Sequence, residues 1–151
     1  MRDLVSTYVY PNTLVVKRMS GKDLRLMIEK CAHYFEIEQG EITVSKEYVY
    51  PKIQHFNYDM IDGIDYTLKI SNPKGSRCIS CTYNGKEVEN NDTFTIAMNN
   101  YRAVGGGDFD MVARCETVLD TNRDMVEILA EYIQNHSPVI VDHKENIRII
   151  K

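Results

Sequence analysis

The 151-residue sequence is short of cysteine, of surplus positive charge and of long apolar runs, and each shortage excludes a class of protein. Four cysteines (Cys31, Cys78, Cys81 and Cys115) are too few to staple a small scaffold. Cys78-x-x-Cys81 lacks the second cluster that a four-ligand zinc site requires. The flanking pattern RCISCTYNGKEV reads as a strand entering a hairpin turn. Residues three apart on a regular strand face opposite ways, so the pair is read as two unpaired thiols. A net charge of −4 with no Lys/Arg run leaves no footprint for duplex nucleic acid or an anionic membrane. No apolar stretch approaches the roughly 20 residues that span a bilayer, and MRDLVSTYVY has neither the basic nor the apolar region of an export signal.

Motifs for substrate chemistry are also missing. His33, His55, His136 and His143 are scattered singly, with no H-E-x-x-H, G-x-S-x-G or Walker sequence. Asp59, Asp62 and Asp65 cluster without the spacing of an EF-hand loop, and read as a solvated acidic turn around Gly63. No catalytic residue and no metal ligand is assigned.

What remains is a chain long enough for a real core, with 43% apolar residues, expected to form one domain over residues 1–151. The β-branched stretch Thr13 to Met19 reads as a strand. Ser20 with Asp23 three residues later forms a capping-box pattern. Leu24, Ile28, Cys31 and Phe35 follow at helical spacing, which predicts a helix from Gly21 to about Phe35. Glu36 to Asn57 is polar and irregular, with short strands around Ile42 to Val44. Tyr66, Leu68 and Ile70 alternate as a half-buried strand, NPKGS turns, and Arg77 to Tyr83 meets the hairpin pair Asn84-Gly85, with Glu87 and Val88 closing it. A strand from Thr93 to Met98 leads into NNYRAVGGGDFDM, whose glycines predict loop. Arg123 to Asn135 reads as a helix with Val126, Leu129, Tyr132 and Ile133 on one face, followed by short strands at Val139 to Val141 and Ile147 to Ile150. Without a regular βαβ rhythm, the class is α+β or mixed α/β.

Two strand–loop junctions look shaped for a ligand. VYPNT (Val9 to Thr13) sets a tyrosine and an amide ahead of a strand, and NNYRAVGGGDF (Asn99 to Phe109) sets a tyrosine ahead of a glycine loop. Glycine lets a ligand approach the backbone, and an exposed ring gives a nucleobase a face to stack on.

At these residues the sequence resembles the C-terminal domain of the 5′-nucleotidase family. YVYPNTLVVKRMSGKDLRLMIEKCAHYF is similar to the opening of that domain, and FNYDMIDGIDYTLKIS, YNGKEV and NNYRAVGGG to its later blocks, in order from about Asp3 to Phe109. The NNYRA and YDMIDGIDY forms resemble the bacterial 2′,3′-cyclic-nucleotide 2′-phosphodiesterase/3′-nucleotidase branch. The resemblance implies a mixed sheet with packed helices, and a chain that is the second part of a larger two-domain enzyme. It also implies a preceding metallophosphoesterase domain that holds two divalent metal ions, which activate water and neutralise charge on phosphorus. Substrate binding falls on Tyr10 and Tyr101 as the base sandwich, on Asn12, and on the glycine loop at Gly106, Gly107 and Asp108. The family's acidic residue corresponds to Gly107 or Asp108, because this chain reads GGGD where the nucleotidases read GGDG. The implied partners are a nucleoside or nucleotide and the chain's own catalytic domain. An Asn-Gly-rich, arginine-bearing segment that family domains carry upstream is absent from the sequence. The resemblance implies an exported parent, in the periplasm, cell wall or medium, and an isolated chain that is catalytically silent. Two alternatives stand beside it: a free-standing nucleoside-binding or interaction module, and a redox protein using Cys78 and Cys81.

Overall fold

The computed structural model describes residues 4, 6, 8–141 and 144–151, so Asp3 and His143 lie outside the described residues. The chain divides into two compact units, residues 1–19 with 95–144, and residues 20–94 with 145–151. Strands and helices are mixed in the expected class.

The first unit is built on a three-stranded sheet of order β7-β1-β8, with β1 at Thr13–Ser20, β7 at Thr93–Asn99 and β8 at Glu116–Asp124. β1 is apolar and β-branched, and it buries Val15 and Met19. Its antiparallel ladder with β8 pairs Val15 with Asp120, Lys17 with Thr117 and Arg18 with Glu116. β8 has no counterpart in the sequence reading. It is polar, mostly exposed and paired only with β1, so it lacks the apolar alternation that marks a half-buried strand. The three glycines form a turn, as the sequence predicts, and two short helices, α2 (Asn100–Ala103) and α3 (Asp110–Ala113), flank it. Between them Phe109 is fully buried.

β8 runs through Asp124, whose side chain accepts from Val126 N, so the following helix α4 is Met125–Asn135 and begins two residues later than predicted. Ala130 is its buried residue, while Tyr132 and Ile133 are exposed, and the Tyr132 ring stacks on His136 with centroids 4.2 Å apart. The strand expected at Val139 to Val141 does not form, and Ile140 and Val141 stand exposed. β-branched residues make a strand only where a ladder partner is present.

The second unit opens with α1, Gly21–Ala32. Ser20 Oγ accepts from Asp23 N at 3.1 Å and donates to Asp23 Oδ2 at 2.7 Å, as the capping pattern predicts. Leu24, Met27, Ile28 and Cys31 form its buried stripe. The helix stops short of Phe35, and Arg77 Nη1 donates at 2.8 Å to the carbonyl of Ala32, an acceptor that the helix end leaves open, and at 2.7 Å to the carbonyl of Phe35. Phe35 instead starts a hairpin, β2 (Phe35–Glu38) with β3 (Glu41–Val44), turned at Gln39 and Gly40 with φ of 53° and 80°. Glutamine rarely adopts that conformation, so the turn carries no sequence signal. A four-stranded sheet of order β6-β5-β4-β9 completes the unit, from β4 (Asp65–Lys69), β5 (Cys78–Tyr83), β6 (Lys86–Glu87) and β9 (Ile147–Ile150). The Asn84-Gly85 turn has φ of 51° and 75°, as that dipeptide predicts.

Candidate functional site

Both segments singled out in the sequence fall in the first unit, and one hydrogen bond joins them. Thr13 N, at the start of β1, donates to Asn100 Oδ1 at 3.3 Å, so the end of VYPNT is tied to the residue ahead of Tyr101. Asn12 is held on three sides: its N donates to Tyr10 O at 2.8 Å, its O accepts from Met125 N at 2.9 Å, and its Nδ2 donates to Tyr8 Oη at 3.1 Å. Its Oδ1 has no protein partner among the described residues. Tyr10 is 54% exposed.

On the other segment, Asn99 Oδ1 accepts from Arg102 N at 2.8 Å and starts α2, which carries Tyr101 with its ring 40% exposed. The glycines that follow serve different ends. Gly105 and Gly107 have φ of 90° and 75°, a region that other residues enter at a cost. Gly106 is needed for space, since a Cβ there would stand 2.5 Å from Cε2 and Cζ of Tyr101. The Tyr101 ring therefore lies flush on the loop backbone, and Gly106 N donates to Tyr101 O at 3.0 Å. Asp108 is exposed and also left-handed, with φ of 64°, which aspartate tolerates better than most.

Sequence reasoning missed Arg102, which reads as a surface cation but is buried. Its guanidinium lies 3.8 Å from the centroid of Phe109 and 5.5 Å from that of Tyr101, and Nη1 donates to Gly106 O. Arg102 is thus the strut between the ring-bearing helix and the loop. Its only sequence signal is its place directly after the aromatic.

Elsewhere, the scattered groups stay scattered. His55 Nδ1 shares a hydrogen bond with Tyr34 Oη at 2.9 Å, and His136 Nδ1 lies 2.8 Å from Tyr132 O. Burial lowers the pKa of His33, with Lys74, Lys30 and Arg77 adding to the effect. Asp62 Oδ1 accepts from Gly63 N at 2.8 Å in an exposed turn. Among the described residues, no group of three or more His, Cys, Asp or Glu is placed to hold a metal ion.

Cys78 and Cys81 are free thiols in a strand, as expected, but they do not face opposite ways. Opposite β4, Tyr66 pairs with Cys81, Thr67 with Ser80 and Leu68 with Cys78, leaving Ile79 as an extra residue. This bulge resets the alternation, so Cys78 and Cys81 stand opposite two inward residues and share a face. Cys78 Sγ donates to Ser80 O at 3.5 Å, and the neighbouring Cys81 thiol, together with burial, raises Cys78 well above the ordinary thiol range. The neighbouring Cys78, aided by Arg25, holds Cys81 below that range.

A family model described as 5′-nucleotidase, C-terminal domain, matches residues 1–114. The chain belongs to this family. It is 37% identical over 120 residues to a 2′,3′-cyclic-nucleotide 2′-phosphodiesterase/3′-nucleotidase of Salmonella typhimurium, covering 70% of this chain and 18% of that protein. The Haemophilus influenzae protein of the same description is 32% identical over 146 residues, covering 88% of this chain and 22% of its own length. Among solved structures, a putative 5′-nucleotidase from Staphylococcus aureus in complex with alpha-ketoglutarate superposes with a TM-score of 0.93 at 37% identity, over 100% of this chain and 30% of that one. The chain therefore spans about a fifth of these curated relatives, and the nucleotidase C-terminal fold of the family is the fold described above.

Proposed function

We propose that this chain grips the nucleoside for a metal-dependent nucleotide hydrolase of the 2′,3′-cyclic-nucleotide 2′-phosphodiesterase/3′-nucleotidase or 5′-nucleotidase type. Tyr10 and Tyr101 sandwich the base, and Asn12 offers its Oδ1 to the nucleoside. The backbone at Gly106 and Gly107, with Asp108, borders the ribose. One observation carries this reading: the Tyr101 ring is held half-exposed and flush against Gly106, where a rigid flat face is available for stacking. The tie from Thr13 to Asn100 sets the Asn12 segment beside it.

The hydrolytic step belongs to a metallophosphoesterase domain outside this chain, which supplies two divalent ions, and the parent enzyme is exported. The residues described here orient the nucleoside so that its phosphate meets those ions. Fixed geometry of that kind lowers the barrier without any group of this chain taking part in bond cleavage. Binding of adenosine to the full-length parent, measured before and after Tyr101→Ala, tests the sandwich. Stacking on one ring is worth about 1–3 kcal/mol, so affinity falls roughly 5- to 150-fold, and unchanged affinity removes Tyr101 from the site. Metal-dependent release of phosphate from 3′-AMP by the 151-residue chain alone would overturn the division of labour.

A further inference from the structure

The sheet of the first unit holds a charged group that the nucleoside reading leaves unused. A cavity of about 300 Å³ lies against the β1–β8 ladder, within reach of α2 and α3. Two cross-strand pairs contribute to its wall, Val15 with Asp120 and Lys17 with Thr117, together with Asn100 and Ala103. Lys17 is only 4% exposed, yet it forms no ion pair among the described residues. Its Nζ donates to Thr117 Oγ1 at 3.1 Å, which uses one of three donors. A buried ammonium satisfied by a single neutral hydroxyl carries a desolvation penalty that an anion would offset.

The neighbouring groups are donors too. Thr117 Oγ1 accepts from the lysine, and its own proton is left to give. Asn100 Oδ1 is occupied by Thr13 N, so the Asn100 amide nitrogen is the end left for a ligand. The one carboxylate of the wall, Asp120, sits at the exposed side, with Oδ1 accepting from Asn122 N. It repels a dianion and tolerates a single negative charge. Val15 and Ala103 leave an apolar surface fit for a short carbon tail.

We propose that this cavity is a binding site for a small monocarboxylate, with the carboxylate on Lys17 and Thr117 and a short aliphatic tail against Val15 and Ala103. The site is separate from the base sandwich, and the Asn100 to Thr13 bond connects the two. It stands whether or not the nucleoside reading does.

The test is a titration of the ¹⁵N-labelled 151-residue chain with butyrate, followed by amide chemical shifts, with sodium chloride matched for ionic strength. Saturable shifts centred on Lys17, Asn100, Thr117 and Asp120 are expected. Lys17→Met, which keeps the stem and removes the charge, weakens binding about 10- to 100-fold. Thr117→Val keeps the lysine and weakens binding less, so the proposal remains testable if the lysine variant fails to fold. Absence of saturable shifts in the parent chain, or equal shifts with butylamine, overturns the site. Inorganic phosphate binding as tightly as butyrate overturns the assignment to a monocarboxylate.

Discussion

The ring of Tyr101 occupies the space that a side chain on Gly106 would need, 2.5 Å from where its Cβ would stand. Gly106 is not in the left-handed region, unlike Gly105 and Gly107, so alanine is acceptable there for the backbone and forbidden only by the ring. Gly106→Ala therefore leaves the fold intact, costs about 1–3 kcal/mol, and pushes the ring off the loop. Urea unfolding gives the first quantity, and the Tyr101 ring shifts in an NMR spectrum give the second. Unmoved ring resonances would show that the loop, not the ring, had yielded.

The contrast between these glycines marks what the sequence could and could not convey. Periodicity and capping made β1, α1, β4 and the Asn84-Gly85 hairpin readable, because each rests on local spacing. The Gln39-Gly40 turn sets a glutamine in a conformation it rarely adopts, and the bulge at Ile79 and the exposed strand β8 rest on pairing with other strands, so no local pattern announces them. In the candidate site, the tyrosines and the glycine loop stood out as residue types. The close approach of ring to glycine and the burial of Arg102 emerged only from tertiary packing.

Arg102 gives a second prediction. Its stack on Phe109 is worth about 0.5–2 kcal/mol and its bond to the Gly106 carbonyl about 1.5–3 kcal/mol. Arg102→Met therefore destabilises the chain by about 2–5 kcal/mol, read from the urea midpoint. Arg102→Lys restores the charge but not the planar stack, and recovers less than half of the loss. Full recovery by lysine would mean that charge alone matters here.

Two tyrosines, the half-buried Tyr58 and the buried Tyr66, set the alkaline limit of the fold. Burial pushes Tyr58 up to about 12, and burial likewise raises Tyr66, whose hydroxyl accepts from Ile61 N at 3.3 Å. An unfolded tyrosine ionises near pH 10, so between about 10 and 12 the unfolded chain sheds a proton that the folded chain keeps. Stability is then complete below about pH 10 and falls as pH rises through the folded values. Urea midpoints across that range decline in the parent chain and decline less steeply in Tyr66→Phe. A flat profile would remove both phenols from the balance.

The thiol pair makes the last prediction, and the bulge at Ile79 is its cause. On a regular strand Cys78 and Cys81 would ionise independently. On a shared face the two thiols act on each other, and the Arg25 guanidinium adds positive charge nearby. A neighbouring thiol and a guanidinium favour a single thiolate here, so Cys81 loses its proton below the usual thiol range while Cys78 holds its proton far above it. Cβ chemical shifts of ¹³C-labelled cysteine followed against pH resolve the two, with Cys81 titrating first. In Cys78→Ala the neighbouring thiol is gone, burial of Cys81 dominates, and its titration moves up toward or beyond the ordinary thiol value. Two independent and ordinary titrations in the parent chain would place the sulfurs on opposite faces and the bulge elsewhere.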